Sequence, residues 1–419
     1  MEEYTKDNYI EWIGELPYNW GISKIGELYS IKNIKVSDED YPPLSVTKMG
    51  ILPQLETAAK SDAHDDRKLV NKGDFVINSR SDRRGSCGIS SLDGSVSLIN
   101  IVLSPKVVLD PEYYNWLFHT DLFADEFYRW GHGIVDDLWT TNWQNMKNIK
   151  IPIPPLEEQK FISNFLNEKC EFVDSLINDE IAIRDKLAEY KSSLITEVVT
   201  KGLNNNVNLK DSNIDWIGKI PAHWDIDYLK HRVILNKSTL TEDTDDDYEF
   251  KYIDIGSVSF GKGIEKYETM LFKDAPSRAR RIVEKDDVII STVRTYLKAI
   301  AIIPDEKNLI VSTGFAVLTP ININSRYLGY LVKSEYFTSL VSSYSVGVLY
   351  PAINSSKLIN FKILIPPTNE QEEIANYLDV KINPIDSLII EKEQLIDKLE
   401  EYKRSFIFEY VTGKKEVPR

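Results

Sequence analysis

The chain has 419 residues, 42% of them hydrophobic and 11% aromatic, with a formal net charge of −15. That length exceeds a single core of ordinary size and points to two or three domains. The acidic balance excludes a uniformly basic nucleic-acid coat while leaving local basic patches open.

No apolar run approaches the roughly 18 residues of a membrane span, and the opening MEEYTKDNY lacks the basic and apolar regions of a secretion signal. A cytoplasmic protein with no membrane partner is therefore expected. Cys87 and Cys170, the only cysteines, sit in unrelated contexts and are read as reduced thiols. The five histidines (His64, His119, His132, His223 and His231) form no pair at metal-ligand spacing, so no metal site is expected.

The first phrase along the chain, KDNYIEWIGELPYNW (6–20), returns as KDSNIDWIGKIPAHW (210–224) with eight of fifteen positions identical, where unrelated segments would share about one. The chain is an internal tandem repeat. Further on, KGDFVINSR (72–80) aligns with KDDVIIS (285–291) at a larger offset, which places an insertion in the second copy at the acidic stretch TEDTDDDYE (241–249). That stretch reads as a solvated loop.

Between these landmarks each copy carries short β-like runs: DFVINS and SLINIVLSP in the first, DVIIST, KAIAIIP and LIVSTGFAVLTP in the second. Helix-like segments follow at 112–130 and 325–343, so each globular half is an α+β module. After its helices each module has a Gly-containing loop, GHGIVDDLWTTNW (131–143) and SVGVLYPAINSS (345–356), the kind of segment on which recognition residues tend to lie.

Each module ends at a diproline, IPIPPLEEQ (151–159) and ILIPPTNEQ (363–371). From there the register holds without a gap at offset 212: Ile162, Leu166, Cys170, Val173 and Ile177 map onto Ile374, Leu378, Ile382, Ile385 and Ile389, and the pattern continues to Val198 and Tyr410. Spacings of three and four give an apolar stripe, so each stretch reads as one amphipathic helix of about 45 residues, roughly 65–70 Å. A pseudo-twofold repeat would pair the two helices antiparallel. Glu180 and its equivalent Lys392 would then meet near the middle, either as an ion pair or as two solvent-facing charges.

Charge is uneven: residues 205–367 hold 20 basic and 20 acidic residues, whereas the rest of the chain is acidic. Arginines cluster at Arg80, Arg83 and Arg84, and at Arg278, Arg280 and Arg281, followed by Arg294 and Lys298. Such clusters suit phosphate contact or bidentate reading of guanine, and equally a solvated face. No phosphate-binding G-x-x-x-x-G-K-[ST] loop or G-x-S-x-G elbow is present. The IPP tripeptides lack the polar and aromatic groups of an amino-methyltransferase motif, so no catalytic residue is assigned.

The ordered set of W-I-G-x-[IL]-P-x-x-W, the diproline–E-Q junction, and the helix ends EYKSSLITEVVTKG (189–202) and EYKRSFIFEYVTGK (401–414), repeated twice, resembles the DNA specificity subunits of type I restriction–modification enzymes over essentially the whole chain. The resemblance implies two target recognition domains, 1–155 and 205–367, each reading one half of a bipartite, asymmetric double-stranded DNA site. It implies that the spacer helices, 156–204 and 368–419, form an antiparallel coiled coil that fixes the gap between half-sites. It also implies two copies of an adenine methyltransferase subunit and a restriction and motor subunit as partners. S-adenosylmethionine, ATP and magnesium would belong to those partners, leaving no cofactor in this chain.

On this reading the candidate DNA contacts are Arg80, Arg83, Arg84, Trp139, Thr140 and Asn142 in the first domain, and Arg278, Arg281, Arg294, Lys298, Tyr350 and Asn354 in the second. The aromatic members equally fit core packing. A two-module adaptor holding protein partners without reading DNA is the alternative, and an enzyme with an unrecognised site is a third.

Overall fold

A computed structural model of the chain describes residues 8–54, 65–133, 139–204, 206–214 and 217–418. His64, Trp216 and the centre of the first-copy loop, residues 134–138, lie outside the described residues. Two compact units are present, Met1–Asp179 with Ile396–Arg419, and Glu180–Leu395. Each long helix contributes one half to each unit.

The first unit is built on a four-stranded antiparallel sheet in the order Cys87–Ile89, Phe75–Asn78, Asn100–Pro105, Tyr29–Ile31. The second repeats that order with Ile300–Ile302, Val288–Ser291, Phe315–Pro320 and Val233–Leu235. The β-like runs seen in the sequence supply five of these eight strands, as their propensity for a pleated, buried surface requires, while Tyr29–Ile31, Cys87–Ile89 and Val233–Leu235 come from segments outside those runs. The second unit adds a five-stranded sheet in which Glu249–Ile253 pairs parallel with Leu309–Ser312. The acidic insertion is the exposed turn segment leading into Glu249, with Asp247 paired to Lys273 at 2.8 Å.

The helical segments of the modules are each divided in two. Pro111–Phe118 and Asp121–Arg129 are separated at Thr120, whose hydroxyl caps the second helix by accepting from the Phe123 amide at 3.2 Å. Ser325–Lys333 and Glu335–Ser343 are separated at the fully buried Ser334. Asp110 and Asn324 cap the first helix of each pair, because a short polar oxygen satisfies amides that have no intrahelical partner.

The long helices span Leu156–Lys201 and Thr368–Val411, beginning at equivalent positions directly after the diprolines. The second contains Pro384, which removes an amide donor from the helix interior. Ile382 and Ile385 beside it are buried in the core of the second unit, and that burial holds the helix through the defect.

In the first unit, Phe165 packs on Phe406 and Tyr410 with centroids 5.7 and 5.0 Å apart, and Lys403 binds both oxygens of Asp174 at 2.6 Å. In the second, Lys191 pairs with Asp386, and Lys392 with Glu180 at 2.8 Å. Within each unit the contacts run in opposite senses along the two helices, so the helix halves pack antiparallel. The Glu180–Lys392 pair forms with its side chains 19% and 22% exposed. The apolar stripe thins as it leaves the modules: Ile162, Leu166, Cys170, Val173 and Ile177 are buried, whereas Leu176, Ile183, Leu388 and Leu395 are exposed.

The repeated phrase and the diproline junction meet. The Trp20 indole N–H donates to Glu158 at 3.0 Å, and the Trp224 indole N–H donates to Glu370 at 3.0 Å. The neighbouring glutamines bridge backbone. Gln159 accepts from the Asp110 amide at 2.9 Å and donates to the Pro154 carbonyl at 2.8 Å; Gln371 accepts from the Asn324 amide and donates to the Pro366 carbonyl, both at 2.9 Å.

Each tryptophan also closes on the end of the other long helix. Gly413, with φ +68°, is so close to Trp20 that a Cβ there would lie 3.0 Å from the indole, and Gly202, with φ +74°, stands in the same relation to Trp224. The left-handed turn and the close approach both require glycine. Trp12 is held separately, its indole donating to the Lys150 carbonyl at 2.9 Å.

Gln371→Leu leaves the buried Pro366 carbonyl and the half-buried Asn324 amide without this partner and is expected to destabilise the second unit by about 1–3 kcal/mol, read as a lower thermal midpoint. Glu180→Lys, which strands Lys392 beside a like charge, is expected to cost about 1–3 kcal/mol. An unchanged melting curve for Glu180→Lys would show that the pair contributes nothing.

Candidate nucleic-acid interface

In the first unit the chain leaves the sheet at Asn78 and makes a short 3-10 turn, Ser81–Arg83, that carries Arg80, Arg83 and Arg84 on the surface. The segment after the loop crosses this turn. Thr140 forms isolated bridges with Arg80 and His132, the Ser81 amide donates to the Trp139 carbonyl at 3.0 Å, and the Thr141 amide donates to the Ser79 carbonyl at 3.0 Å. The structure thus brings all six first-domain candidates onto one edge.

Their individual environments differ. Trp139 stacks on Tyr128 at 5.7 Å and donates to its carbonyl at 3.0 Å, so it is a structural wall rather than a free aromatic face. Arg84 lies 5.9 Å over the same Tyr128 ring and ion-pairs with Asp125, while Arg83 pairs with Asp82 at 3.6 Å. The exposed Asn142 caps the short helix Trp143–Met146, accepting from the Asn145 amide at 3.1 Å through its oxygen, so the cap does not use its amide N–H groups.

The second unit repeats this crossing. Ala352 bridges Val293 and Val346 as Thr140 bridges Arg80 and His132, and the Ile353 amide donates to the Thr292 carbonyl at 2.8 Å. Asn354 caps Ser355–Leu358 at the position equivalent to Asn142. On the crossing lies a short 3-10 turn, Thr295–Leu297, flanked by Arg294 (φ 51°) and Lys298 (φ 47°) in the left-handed region.

Two non-glycine residues in that conformation are costly unless the surroundings over-determine them. Here the Thr295 hydroxyl donates to Ser345 at 2.8 Å and the Thr295 amide to the Pro351 carbonyl at 3.3 Å, pinning the turn to the loop. The turn holds Arg294 over the Tyr350 ring at 5.1 Å and Lys298 over Phe260 at 5.3 Å, cation–π contacts that orient each charge while leaving it able to meet an anion.

Arg278 adjoins this edge through its carbonyl, which accepts from the Thr313 amide at 2.8 Å, and its side chain is engaged by Asp254 at 3.4 Å. Tyr252 and Asp254 hold its guanidinium still more firmly protonated. Arg281 stands apart. It lies on the strand Ala279–Ile282, touches Thr239 at 3.4 Å, and its Nε is buried without a partner among the described residues, so burial pushes its pKa down. Sequence clustering placed it with Arg278; in the structure it pairs with Val311 just past a register shift in the strand, and its side chain turns to Thr239 instead.

Residues 17–182 and 189–401 match the type I restriction modification DNA specificity domain, one match in each repeat. The chain belongs to that family. Two curated relatives from Methanocaldococcus jannaschii extend over nearly its full length. A protein named type I restriction enzyme MjaVIII specificity subunit is 26% identical, covering 99% of this chain and 97% of the relative, and one named putative type I restriction enzyme MjaX specificity subunit is 23% identical, covering 99% and 98%.

A solved structure described as the structural basis underlying complex assembly and conformational transition of the type I R-M system shares the fold. Its TM-score is 0.69 at 15% identity, covering 96% of this chain and 100% of that one. Each match takes in one α+β module together with parts of the long helices, and the edges just described are the faces the sequence repeats build in common.

The sequence reading missed three features of these edges. Asp125 and Asp254, which engage Arg84 and Arg278, are remote in sequence and carried no signal. Lys357, 4.3 Å over Tyr344, was legible only as a lone charge. The absence of acid from the two segments that form the second crossing was available: residues 288–304 and 336–369 contain no aspartate or glutamate, in a chain with 65 of them. Among the described residues no group of three or more His, Cys, Asp or Glu side chains is placed to share a metal ion, and no helix is long and apolar enough to cross a membrane.

Behind the first edge lies Cys87, fully buried, its thiol donating to the Phe118 carbonyl at 3.3 Å. Burial pushes this thiol up to about 12 and that of Cys170 to about 11, so neither supplies a thiolate at neutral pH. In the native protein at pH 8 both cysteines are expected to resist a thiol-specific chromogenic reagent and to react fully in guanidinium. Rapid labelling of either in the folded state would contradict that burial.

Proposed function

We propose that this chain is the non-catalytic, sequence-reading subunit of a type I restriction–modification complex. Each specificity domain reads one part of a bipartite, asymmetric double-stranded DNA site, and the long helices set the spacer between the parts. The observation that carries this reading is the same crossing in both modules, which presents arginine or lysine, an aromatic ring and a capped asparagine on one edge. Guanidinium forks and amide groups are the chemistry that distinguishes base edges in the major groove.

The −15 net charge is compatible with this function because the two segments that form the second crossing are free of acid and partner subunits can surround the duplex with basic surface. Docking of methyltransferase and restriction subunits is supported by the helices of the second unit, where Ile183, Tyr190, Leu388 and Leu395 stay exposed on otherwise charged helices. On this reading S-adenosylmethionine, ATP and magnesium are bound by those partners, and the complex works in the cytoplasm.

Sequencing of methylated bases in cells with and without the gene tests the assignment: a bipartite methylated motif should disappear with the gene. An unchanged methylation pattern in a strain retaining active methyltransferase subunits would favour the adaptor alternative. Within the complex, Arg294→Ala is expected to weaken binding to the motif by about 5–150-fold and to relax preference at one position of the second half-site. Lys298→Ala should weaken binding to all sequences alike and reduce the slope of log affinity against log salt by about one.

A further inference from the structure

The loop of the second domain is a closed hairpin with an apolar tip. Val346 and Ala352 exchange both backbone hydrogen bonds, at 2.9 and 3.0 Å, and Gly347 turns the chain with φ +117°. A Cβ at Gly347 would lie 3.0 Å from the Tyr350 carbonyl, so the turn is tight against its own far side. At the tip Val348 is 99% exposed and Leu349 79% exposed. Tyr350 and Tyr344 stand at the base of the hairpin, each carrying a cation on its ring, Arg294 and Lys357.

Leaving two aliphatic side chains in water on a pinned turn forgoes about 1.5–3 kcal/mol each relative to burial, and the core of the unit does not need them. The surroundings decide what would cover them. The three cations Arg294, Lys298 and Lys357 make no ion pair with a carboxylate among the described residues, and the segments bearing them contain no acid. An apolar tip whose own and neighbouring segments carry unneutralised cations complements an anionic polymer with an apolar feature inside. It does not complement an apolar protein face, which would leave the cations desolvated and unpaired.

Duplex DNA has that arrangement. Its major groove is about 12 Å wide and admits a two-stranded ribbon, and the one apolar group it displays on a base edge is the thymine C5-methyl. Building on the DNA-reading function above, we propose that Val348 and Leu349 are specificity-determining residues that read thymine in the second half-site through its C5-methyl group. Lys298 and Lys357 would then contact the flanking phosphates, with Arg294 at a base edge beside the tip. The reading needs no hydrogen bond from the tip, and the hairpin's closure means that little ordering entropy is lost on contact.

The test uses the complete complex and a duplex carrying the motif identified by methylation sequencing, with each thymine of the second half-site replaced singly by deoxyuridine. Base pairing is kept and one methyl is lost. At one or two positions the affinity should fall by about fourfold, the value of one buried methyl. The Val348→Ala, Leu349→Ala double variant, whose melting should be unchanged because both side chains are exposed, should bind the thymine and deoxyuridine duplexes equally.

A second half-site with no thymine, wild-type indifference to every deoxyuridine, or thymine preference retained in the double variant would each overturn the proposal. A side chain wedged between base pairs in the minor groove would give the second result together with unstacking, visible as brightening of a neighbouring 2-aminopurine. Failure of the underlying reading is distinct: the complex would then bind the motif no better than a scrambled duplex.

Discussion

Everything else in this molecule is hung on a hydrogen bond from an indole to the first turn of a long helix. In each repeat a buried tryptophan donates to a glutamate three residues past a diproline, while the next residue, a glutamine, bridges the module's helix cap and the proline carbonyl. The glutamate also suits its place, since a carboxylate in a first turn faces the positive end of the helix dipole. Because the same tryptophan lies against the glycine that ends the other long helix, one side chain sets where one helix begins and the other stops.

That arrangement explains why the repeat is long and discontinuous in sequence. A module with one helix half has only one end of the joint; the glycine arrives from the remote end of the chain, as in Gly413 and Trp20, with Tyr113 donating to the Val411 carbonyl at 2.8 Å nearby. The aromatic clusters that back the joint, Phe165 with Phe406 and Tyr410 in the first unit, then bury the helices where they meet the module. Farther from the joint the stripe weakens and ion pairs such as Glu180 with Lys392 take over the contact.

With the scaffold shared, the two candidate edges are free to diverge. The first keeps two of its arginines beside carboxylates, Asp82 and Asp125, so its charge is largely answered within the protein. The second rests its cations on aromatic rings and keeps acid out of both contributing segments. A ring face orients a cation without neutralising it, so the second edge retains more of its field for a partner.

The sequence by itself determined the repeat, the α+β modules and the two long helices. Those follow from local patterns: strand propensity, three-four periodicity and prolines that exclude helix. It grouped Arg281 with Arg278, although the folded strand turns the Arg281 side chain to Thr239, and it offered no reason for a helix to pass through Pro384. Trp139, grouped among possible base contacts, is committed to Tyr128. Only the tertiary structure decided which arginines are answered by remote aspartates, and that Val348 and Leu349 stand in water rather than in the core. Pairing across tens of residues and the exposure of an apolar side chain depend on what the folded chain brings beside them, and no local pattern encodes that.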